Sequence, residues 1–172
     1  AVTVRVAING FGRIGRNVLR AIIENNRTDI SIIAINDLGP VETNAHLLKF
    51  DSIHGKFPNK IDISEDTIDV GTGPIRVTAM KNPEELPWND IDIALECTGI
   101  FNKKEAAGKH LKNGSKRVLV SAPCTNADKT IVFGVNHKTL TKNDLVVSNA
   151  SCTTNCLAPV VKVLHEKLKI KR

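Results

Sequence analysis

Three glycines near the start of the chain constrain its fold more than any other feature. They form the motif Gly10-Phe11-Gly12-Arg13-Ile14-Gly15, which follows an apolar run from Thr3 to Ile8 and precedes a helical pattern. A strand that turns through such glycines into a helix is typical of folds that bind the pyrophosphate of a dinucleotide. Gly10 allows the tight turn, Gly12 lets the backbone approach the phosphates, and Gly15 lets the helix pack closely on the strand. A glycine turn without a ligand stays open as the alternative.

Strand-like and helical segments alternate along the rest of the chain. Apolar runs of strand length cover residues 29–36, 90–97, 116–121, 130–135 and 145–148, and helical patterns cover 16–24, 42–50, 103–112 and 152–169. Segments 60–70 and 73–80 alternate apolar and polar residues around Gly71-Thr72-Gly73, which predicts an antiparallel hairpin. Strand–helix–strand repetition predicts a Rossmann-type α/β fold, a doubly wound and mostly parallel sheet into which this hairpin is inserted.

An acidic residue follows the second predicted strand. Asp37 lies 22 residues after Gly15, where a carboxylate can bind both ribose hydroxyls of the adenosine half of a dinucleotide. The same charge should repel the extra 2′-phosphate of NADP, so we expect NAD to be preferred. Two alternatives stay open, a solvated loop acid and a cap for the helix near Glu42.

Two further strand ends should meet the same crevice, because ligands of such sheets bind at the carboxyl ends of the strands. One end carries Thr98 and Gly99, and the other carries Ser121. Thr98 and Ser121 offer hydroxyls, and Gly99 offers close backbone approach. Ordinary turn chemistry would explain the same residues.

A thiol is predicted at the start of the last helix. Leu157, Val161 and Leu164 belong to a stripe at helical spacing, and either Asn149 or Ser151 can cap the helix. Cys152 then lies in the first turn, where the partial positive charge of the helix favours the reactive thiolate. Cys156, one turn later, is expected to be a small core residue, and a core role is also the alternative for Cys152. A reactive thiol beside a nicotinamide cofactor predicts aldehyde oxidation through a sulfur-bound intermediate.

Composition narrows the function classes. The net charge is +6 with a pI of about 9.3, but the basic residues are scattered apart from a C-terminal cluster, and no aromatic stacking surface accompanies them. Nucleic acid is therefore not expected as a partner. The four cysteines form neither a disulfide framework nor a zinc set, so we expect no metal and a reducing cytoplasm. No apolar run is long enough to cross a membrane, and the N-terminus from Ala1 onward indicates a strand, not a signal peptide.

The whole chain resembles the phosphorylating, NAD-dependent glyceraldehyde-3-phosphate dehydrogenase family. The resemblance depends on the glycine motif with its flanks, the strand ends described above, Gly134-Val135-Asn136-His137, and the specific stretch Ser148-Asn149-Ala150-Ser151-Cys152-Thr153-Thr154-Asn155-Cys156. It implies that Cys152 is the nucleophile and that Ser151 and Thr153 contact the substrate or its phosphate. It also implies that Arg13 and Ile14 contact the pyrophosphate through their backbone, that Lys81 lies on the adenine side, and that Ser121 lies nearer the nicotinamide. The predicted cofactor-binding residues are Asn9, Gly10, Phe11, Gly12, Arg13, Ile14, Gly15, Asp37, Lys81, Thr98, Gly99 and Ser121.

The resemblance also implies a reaction. A Cys152 thiolate adds to the aldehyde, a hydride leaves to NAD to form a thioester, and inorganic phosphate releases the acyl phosphate. The substrate would be glyceraldehyde 3-phosphate, the product 1,3-bisphosphoglycerate, and the setting glycolysis. The same motifs also serve the related erythrose-4-phosphate dehydrogenases, so that substrate stays open.

Members of this family have about twice this length and form homotetramers, and their catalytic histidine lies beyond position 172. We therefore expect residues 1–149 to form the NAD-binding domain and residues 150–172 to contribute only the start of a catalytic domain. A positioned general base is typically worth 10² to 10⁴ in rate. The expectation is a polypeptide that binds NAD with little or no turnover, which is also how a non-catalytic dinucleotide-binding module would behave.

Overall fold

A computed structural model describes residues 3–171. Ala1, Val2 and Arg172, which belong to the predicted first strand and to the C-terminal basic cluster, lie outside the described residues. In chain order the elements are β1 (Val4–Asn9), α1 (Arg13–Glu24), β2 (Ile30–Asn36), α2 (Val41–Lys49), β3 (Phe50–Asp51), β4 (Gly55–Lys56), β5 (Asp62–Ile63), β6 (Thr67–Asp69), β7 (Pro74–Thr78), β8 (Ile91–Glu96), α3 (Lys104–Ala107), α4 (Lys109–Lys112), β9 (Ser115–Val120), β10 (Lys129–Thr130), β11 (Val146–Ser148) and α5 (Cys152–Leu168), with 3-10 turns at Pro83–Glu85 and His137–Thr139.

The main sheet has nine strands in the order β10-β11-β9-β8-β1-β2-β7-β6-β5. The strands from β10 to β7 pair in parallel, and β6 and β5 are added antiparallel at one edge. The predicted α/β fold with a mostly parallel sheet and an inserted hairpin is therefore confirmed. Strands β3 and β4 form a separate small antiparallel pair.

Apolar residues cover both faces of the sheet. On the face toward α1 and α2, Ile8, Phe11 and Leu19 are buried in the largest core cluster. On the opposite face, the strand register aligns Ala7 with an alanine on each neighbouring strand, at positions 34 and 94. These small side chains leave room for the indole of Trp88, which is 1% exposed and packs against that face.

Three sequence predictions need correction. The segment 60–70 is two short strands rather than one, because the Ser64 N–H bonds the Thr67 carbonyl and closes a turn. The helix predicted over 103–112 is interrupted at Gly108, the residue type with the weakest helix preference apart from proline. The strand predicted over 130–135 ends at Thr130, because the Asn136 side chain bonds the backbone of Thr130 and Val132 and folds the segment into a turn.

Across residues 3–171, no helix combines the length and the apolar character that crossing a membrane requires.

Candidate functional site

A crevice of about 460 Å³ opens at the carboxyl ends of β1, β2, β7 and β8. This is the edge at which open parallel sheets bind their ligands. The predicted residues that line the crevice are Asn9, Gly10, Gly12, Asp37, Lys81 and Thr98. Six more lining residues were not named as site residues from the sequence, and these are Asn36, Leu38, Met80, Cys97, Ile100 and Phe101.

The glycine turn is tightly packed on one side and open on the other. Gly10 has a φ of +90°, and a Cβ on it would lie 2.8 Å from the Thr98 backbone nitrogen. A Cβ on Gly15 would lie 2.2 Å from the Gly10 carbonyl oxygen, so α1 packs directly on the turn. A Cβ on Gly12, in contrast, would meet no heavy atom within 4 Å. The backbone at Gly12 is therefore accessible to a ligand in the crevice.

The start of α1 is suited to an anion. Its N-cap residue is Gly12, so no side chain caps the helix, and its first turn carries no acidic residue. The N–H groups of Arg13, Ile14 and Gly15 have no acceptor within the helix. Free N–H groups and the positive end of the helix dipole favour a phosphate at such a position. The predicted pyrophosphate contacts of Arg13 and Ile14 through their backbone are compatible with this geometry.

Asp37 directly follows β2 and lies beside the glycine turn. Its carboxylate accepts the Phe11 N–H at 2.8 Å on one oxygen and the Gly39 N–H at 2.9 Å on the other. An ionised carboxylate offers about four acceptor positions, so roughly two remain for ribose hydroxyls. The alternative in which Asp37 caps the next helix is wrong, because the N-cap of α2 is Pro40.

The Thr98 hydroxyl is already engaged. It donates to the Glu96 carboxylate and accepts the Ile100 N–H at 3.2 Å. Thr98 therefore cannot donate this proton to a ligand, and it faces the crevice mainly as backbone and methyl surface. Gly99, the next residue, has a φ of +78° and open space around its Cα.

The remaining predicted cofactor residues support the crevice from outside its lining. Phe11 is buried in the core, and Ile14 is about half exposed on α1. The Arg13 guanidinium pairs with the Asp51 carboxylate, so its charge is directed to the β3–β4 connection. Ser121 directly follows β9, and its N–H bonds the Glu96 carbonyl.

The predicted nucleophile lies at the same edge of the sheet. Cys152 is the first residue of α5 and is exposed, and Ser151 caps the helix by accepting the Thr154 N–H at 3.0 Å. Ala150, immediately before the cap, has a φ of +57°, a left-handed conformation that turns the chain sharply from β11 into the helix. Thr153 is exposed, and its hydroxyl lies 3.0 Å from that of Ser151.

The expectation that Cys156 is a core residue is wrong, because Cys156 is exposed. Helix α5 contacts the rest of the domain through another stripe. Asn155 donates to the Asn149 carbonyl and Lys162 donates to the Gly134 carbonyl. No residue of α5 is fully buried, and the apolar stripe that includes Leu157 and Leu164 faces outward.

Strand order relates the two halves of the site. Asp37 follows β2 and Cys152 follows β11, and β1, β8 and β9 lie between them. Four strand spacings correspond to roughly 19 Å along the carboxyl edge. An extended ligand bound along this edge would have Asp37 and Lys81 at one end and Ser121 and Cys152 toward the other.

The other two cysteines have environments unlike that of Cys152. Burial raises the pKa of the Cys97 thiol to about 11, despite a hydrogen bond with Ser121 that acts in the opposite direction. Burial likewise raises the pKa of the Cys124 thiol. Both groups are therefore protonated at neutral pH and unsuited to nucleophilic attack.

Two buried residues beneath the crevice were not recognised from the sequence. Glu96 and His110 are each at most 1% exposed, and the His110 Nε2 lies 2.8 Å from a Glu96 carboxylate oxygen. Glu96 ends an apolar strand and His110 lies in a lysine-rich helix, so neither carries a local signal. An acid at the end of a buried strand is the one feature that could have drawn attention.

Family models match both ends of the chain. The model described as glyceraldehyde 3-phosphate dehydrogenase, NAD binding domain, matches residues 4–104, and the model of the C-terminal domain of the same family matches residues 151–172.

Individual relatives extend this similarity. The glyceraldehyde-3-phosphate dehydrogenase of Cereibacter sphaeroides is 70% identical over 171 residues, which cover 99% of this chain and 51% of that protein. That of Xanthobacter flavus is 66% identical over 99% of this chain and 52% of the relative. That of Thermotoga maritima is 49% identical over 96% of this chain and 50% of the relative. The chain spans about half the length of the curated relatives it matches.

Proposed function

This chain belongs to the glyceraldehyde-3-phosphate dehydrogenase family and its cofactor is NAD, and from that premise we propose that residues 1–149 are its NAD-binding domain and residues 150–172 the start of its catalytic domain. The single observation that carries this proposal is the shared edge. The glycine turn, Asp37 and Cys152 all follow carboxyl ends of strands of one parallel sheet.

Groups at the crevice support a proposed position for each part of the cofactor. The N–H groups at the start of α1 would hold the pyrophosphate beside Gly12, where the backbone is open. Asp37 would accept both ribose hydroxyls and repel a 2′-phosphate. Lys81 would lie at the adenine end and Ser121 toward the nicotinamide, with Gly99 and the backbone of Thr98 between them. NAD, when bound, supplies a hydride acceptor.

Cys152 would act as the nucleophile of the parent enzyme. Its exposed sulfur lies at the start of α5, where it would be free to add to an aldehyde carbon. The hydroxyls of Ser151 and Thr153 beside it would contact the substrate or its phosphate. The proposed overall reaction is the NAD-dependent conversion of glyceraldehyde 3-phosphate and inorganic phosphate to 1,3-bisphosphoglycerate in glycolysis, in a cytoplasmic homotetramer.

Residues 1–172 by themselves are proposed to bind NAD and to turn over little substrate. Within the described residues, no histidine makes a hydrogen bond with Cys152. Without a positioned base, the rate should be about 10² to 10⁴ lower than that of the parent enzyme.

Calorimetric titration of the chain with NAD and NADP tests the binding part of the proposal. We expect saturable NAD binding, weaker NADP binding, and at least a tenfold weaker NAD affinity in Asp37→Asn, because hydrogen bonds to a charged group are worth about 1.5–3 kcal/mol. Glu42→Gln is the matched control, an acid of α2 outside the crevice lining. Absence of NAD binding would refute the proposal.

A parallel assay tests the catalytic part. NADH formation is followed with glyceraldehyde 3-phosphate and phosphate, and again with erythrose 4-phosphate. We expect negligible turnover from residues 1–172 with either aldehyde. Steady NADH production would contradict the proposed inactivity, and the preferred aldehyde would then distinguish the two substrates.

A further inference from the structure

A continuous chain of side-chain hydrogen bonds runs beneath the crevice across four neighbouring strands. The Thr78 hydroxyl and the Met80 N–H both donate to the Asn36 Oδ1, each at 2.8 Å. The Asn36 Nδ2 donates to the Asn9 Oδ1 at 2.8 Å, and the Asn9 Nδ2 donates to the Glu96 Oε2 at 2.7 Å. The ends of β7, β2, β1 and β8 are thus linked by one network.

This network has a fixed direction. The Met80 backbone can only donate through its N–H and accept through its carbonyl, and Asn36 bonds both. The amide orientation of Asn36 is therefore determined, which in turn determines the orientation of Asn9. The bonds that link Thr78, Asn36 and Asn9 in series all donate toward Glu96, so the series must end on an acceptor.

The second Glu96 oxygen is also surrounded by donors. The Glu96 Oε1 accepts the backbone N–H of Thr98 at 2.9 Å and the Thr98 hydroxyl. The Glu96 Oε2 lies 2.8 Å from the His110 Nε2 in addition to its bond from Asn9. Both oxygens must accept, and a glutamine amide at this position would direct its N–H₂ against donors. The network therefore specifies a carboxylate.

His110 closes this site against the far face of the sheet. Its ring is fully buried and stacks on Trp88, with centroids 5.2 Å apart and planes 9° apart. Among the described residues, neither the His110 Nδ1 nor the Trp88 Nε1 has a hydrogen-bond partner. The His110 ring is therefore oriented by its stacking and by its single bond to Glu96. Three donors, the Asn9 amide and the N–H and hydroxyl of Thr98, offset part of the cost of burying this carboxylate.

We propose that Glu96, buried against His110, is a positioning residue of the NAD site. Glu96 does not line the crevice, but it fixes two residues that do, Asn9 and Thr98. Thr98 in turn bounds Gly10, where a Cβ would lie only 2.8 Å from the Thr98 nitrogen. Glu96 thus holds the backbone of Thr98 against the glycine turn that borders the crevice. This inference rests on the proposed function.

Four versions of the chain test the proposal by NAD titration and by urea unfolding. Glu96→Gln reverses one end of the network and should raise the NAD Kd at least tenfold. Asn9→Asp/Glu96→Gln restores an acceptor for Asn36 and for the new amide at position 96 while keeping the total charge. Because Asn9 itself lines the crevice, this double variant should regain only part of the lost affinity, but it should bind NAD more tightly than Glu96→Gln. Asp128→Asn is the matched control. It removes a carboxylate that accepts from Lys104 and Val146 away from the crevice, and its NAD Kd should stay within twofold of the wild-type value.

The outcomes separate positioning from a general effect on stability. A folded Glu96→Gln chain that binds NAD as tightly as wild type overturns the proposal, as does a double variant that binds no better than the single variant. If Glu96→Gln does not fold, a folded double variant that binds NAD supports the proposal, and a double variant that also fails to fold overturns it.

Amide exchange distinguishes this proposal from the proposed function. If the wild-type chain fails to bind NAD, the proposed function fails, and the network is judged by the Thr98 amide alone. Faster exchange of that amide in Glu96→Gln than in Asp128→Asn supports the network, and equal exchange overturns it. Where Glu96→Gln does not fold, the Thr98 amide of the double variant is compared with that of wild type, and only protection in both supports the network.

Discussion

At the scale of single residues, Gly10 and Gly12 have different structural roles although they lie only two positions apart. Gly10 is constrained by the protein itself, because its φ is +90° and a Cβ on it would clash with the backbone after β8. Gly12 has an ordinary φ of −70° and open space beside it. Glycine at position 10 therefore serves the backbone conformation and packing of the turn, whereas glycine at position 12 leaves open space beside the crevice.

Alanine substitutions should separate these roles. Gly10→Ala should lower the free energy of unfolding by about 2 kcal/mol or more, because it combines backbone strain with a clash. Gly12→Ala should change it by less than about 1 kcal/mol while weakening NAD binding at least fivefold. Urea unfolding and NAD titration of both variants provide the measurement. Equal stability losses in the two variants would contradict this assignment.

The four thiols differ in exposure, and their ionisation therefore responds differently to pH. Cys152 and Cys156 are exposed, whereas Cys97 is half-buried, and burial raises its pKa to about 11. At pH 8 only about one Cys97 thiol in a thousand would be ionised. Because the unfolded chain releases this proton at lower pH, Cys97 stabilises the fold below pH 9, and that contribution is lost as the pH rises toward 11.

Iodoacetamide labelling at pH 8, resolved by peptide mass, should therefore modify Cys152 first and Cys156 next. Cys97 and Cys124 should stay unmodified until the chain is unfolded in urea, which serves as the control for intrinsic reactivity. Rapid labelling of Cys97 in the folded chain would contradict the protection of this thiol by burial.

At the scale of elements, α1 and α5 are both amphipathic but are packed differently. Leu19 of α1 is 1% exposed in the main core, whereas Leu164 of α5 is 43% exposed. Helix α5 also contains Pro159, which removes one backbone hydrogen bond. Since most helix stability in proteins comes from packing of the apolar face, α5 should be the less stable helix.

Matched leucine truncations test this contrast. Leu19→Ala should lower the free energy of unfolding by about 2–5 kcal/mol, the range for buried leucines, whereas Leu164→Ala should lower it by less than about 1 kcal/mol. Amide exchange should likewise be faster in the second half of α5 than in α1. Equal costs for the two truncations would mean that α5 is packed against a partner in solution.

Periodicity and turn residues predicted most of the elements because they report local preferences. The strands at β1, β2, β8 and β9 and the glycine turn between β1 and α1 were predicted within one or two residues at most boundaries. The strand predicted over 130–135 failed because its backbone bonds are taken by the Asn136 side chain. A side chain that takes the backbone hydrogen bonds of a strand cannot be recognised from the spacing of apolar residues.

In the candidate site, too, locally encoded features were predictable and those that depend on tertiary contacts were not. Glycine spacing and the acid at position 37 were visible because their chemistry is encoded in a short motif. Lys81 could be named only through family resemblance, since a single surface lysine has no distinguishing pattern. Glu96 and His110 were not recognised because they meet across 14 positions and through a buried face of the sheet. Only the tertiary structure brings them together.

At the scale of the whole molecule, cofactor binding and folding are coupled. The crevice is formed by the ends of four strands that also carry the core, so a ligand that binds only the folded chain stabilises all of it. The stabilisation depends on ligand concentration alone once Kd is known, and is about 2.7 kcal/mol at a hundredfold excess of ligand over Kd.

Thermal unfolding should therefore report the preference for NAD. For a chain of this size each kcal/mol shifts Tm by about 2–4 °C, so NAD at a hundred times its Kd should raise Tm by about 5–10 °C. NADP at the same concentration should raise it less, because its 2′-phosphate would approach the Asp37 carboxylate. In Gly12→Ala the NAD shift should shrink while the Tm without ligand stays near the wild-type value. An equal shift with NADP would show that Asp37 does not discriminate between the two cofactors, and the ribose contact assigned to its free lone pairs would then have to be made elsewhere.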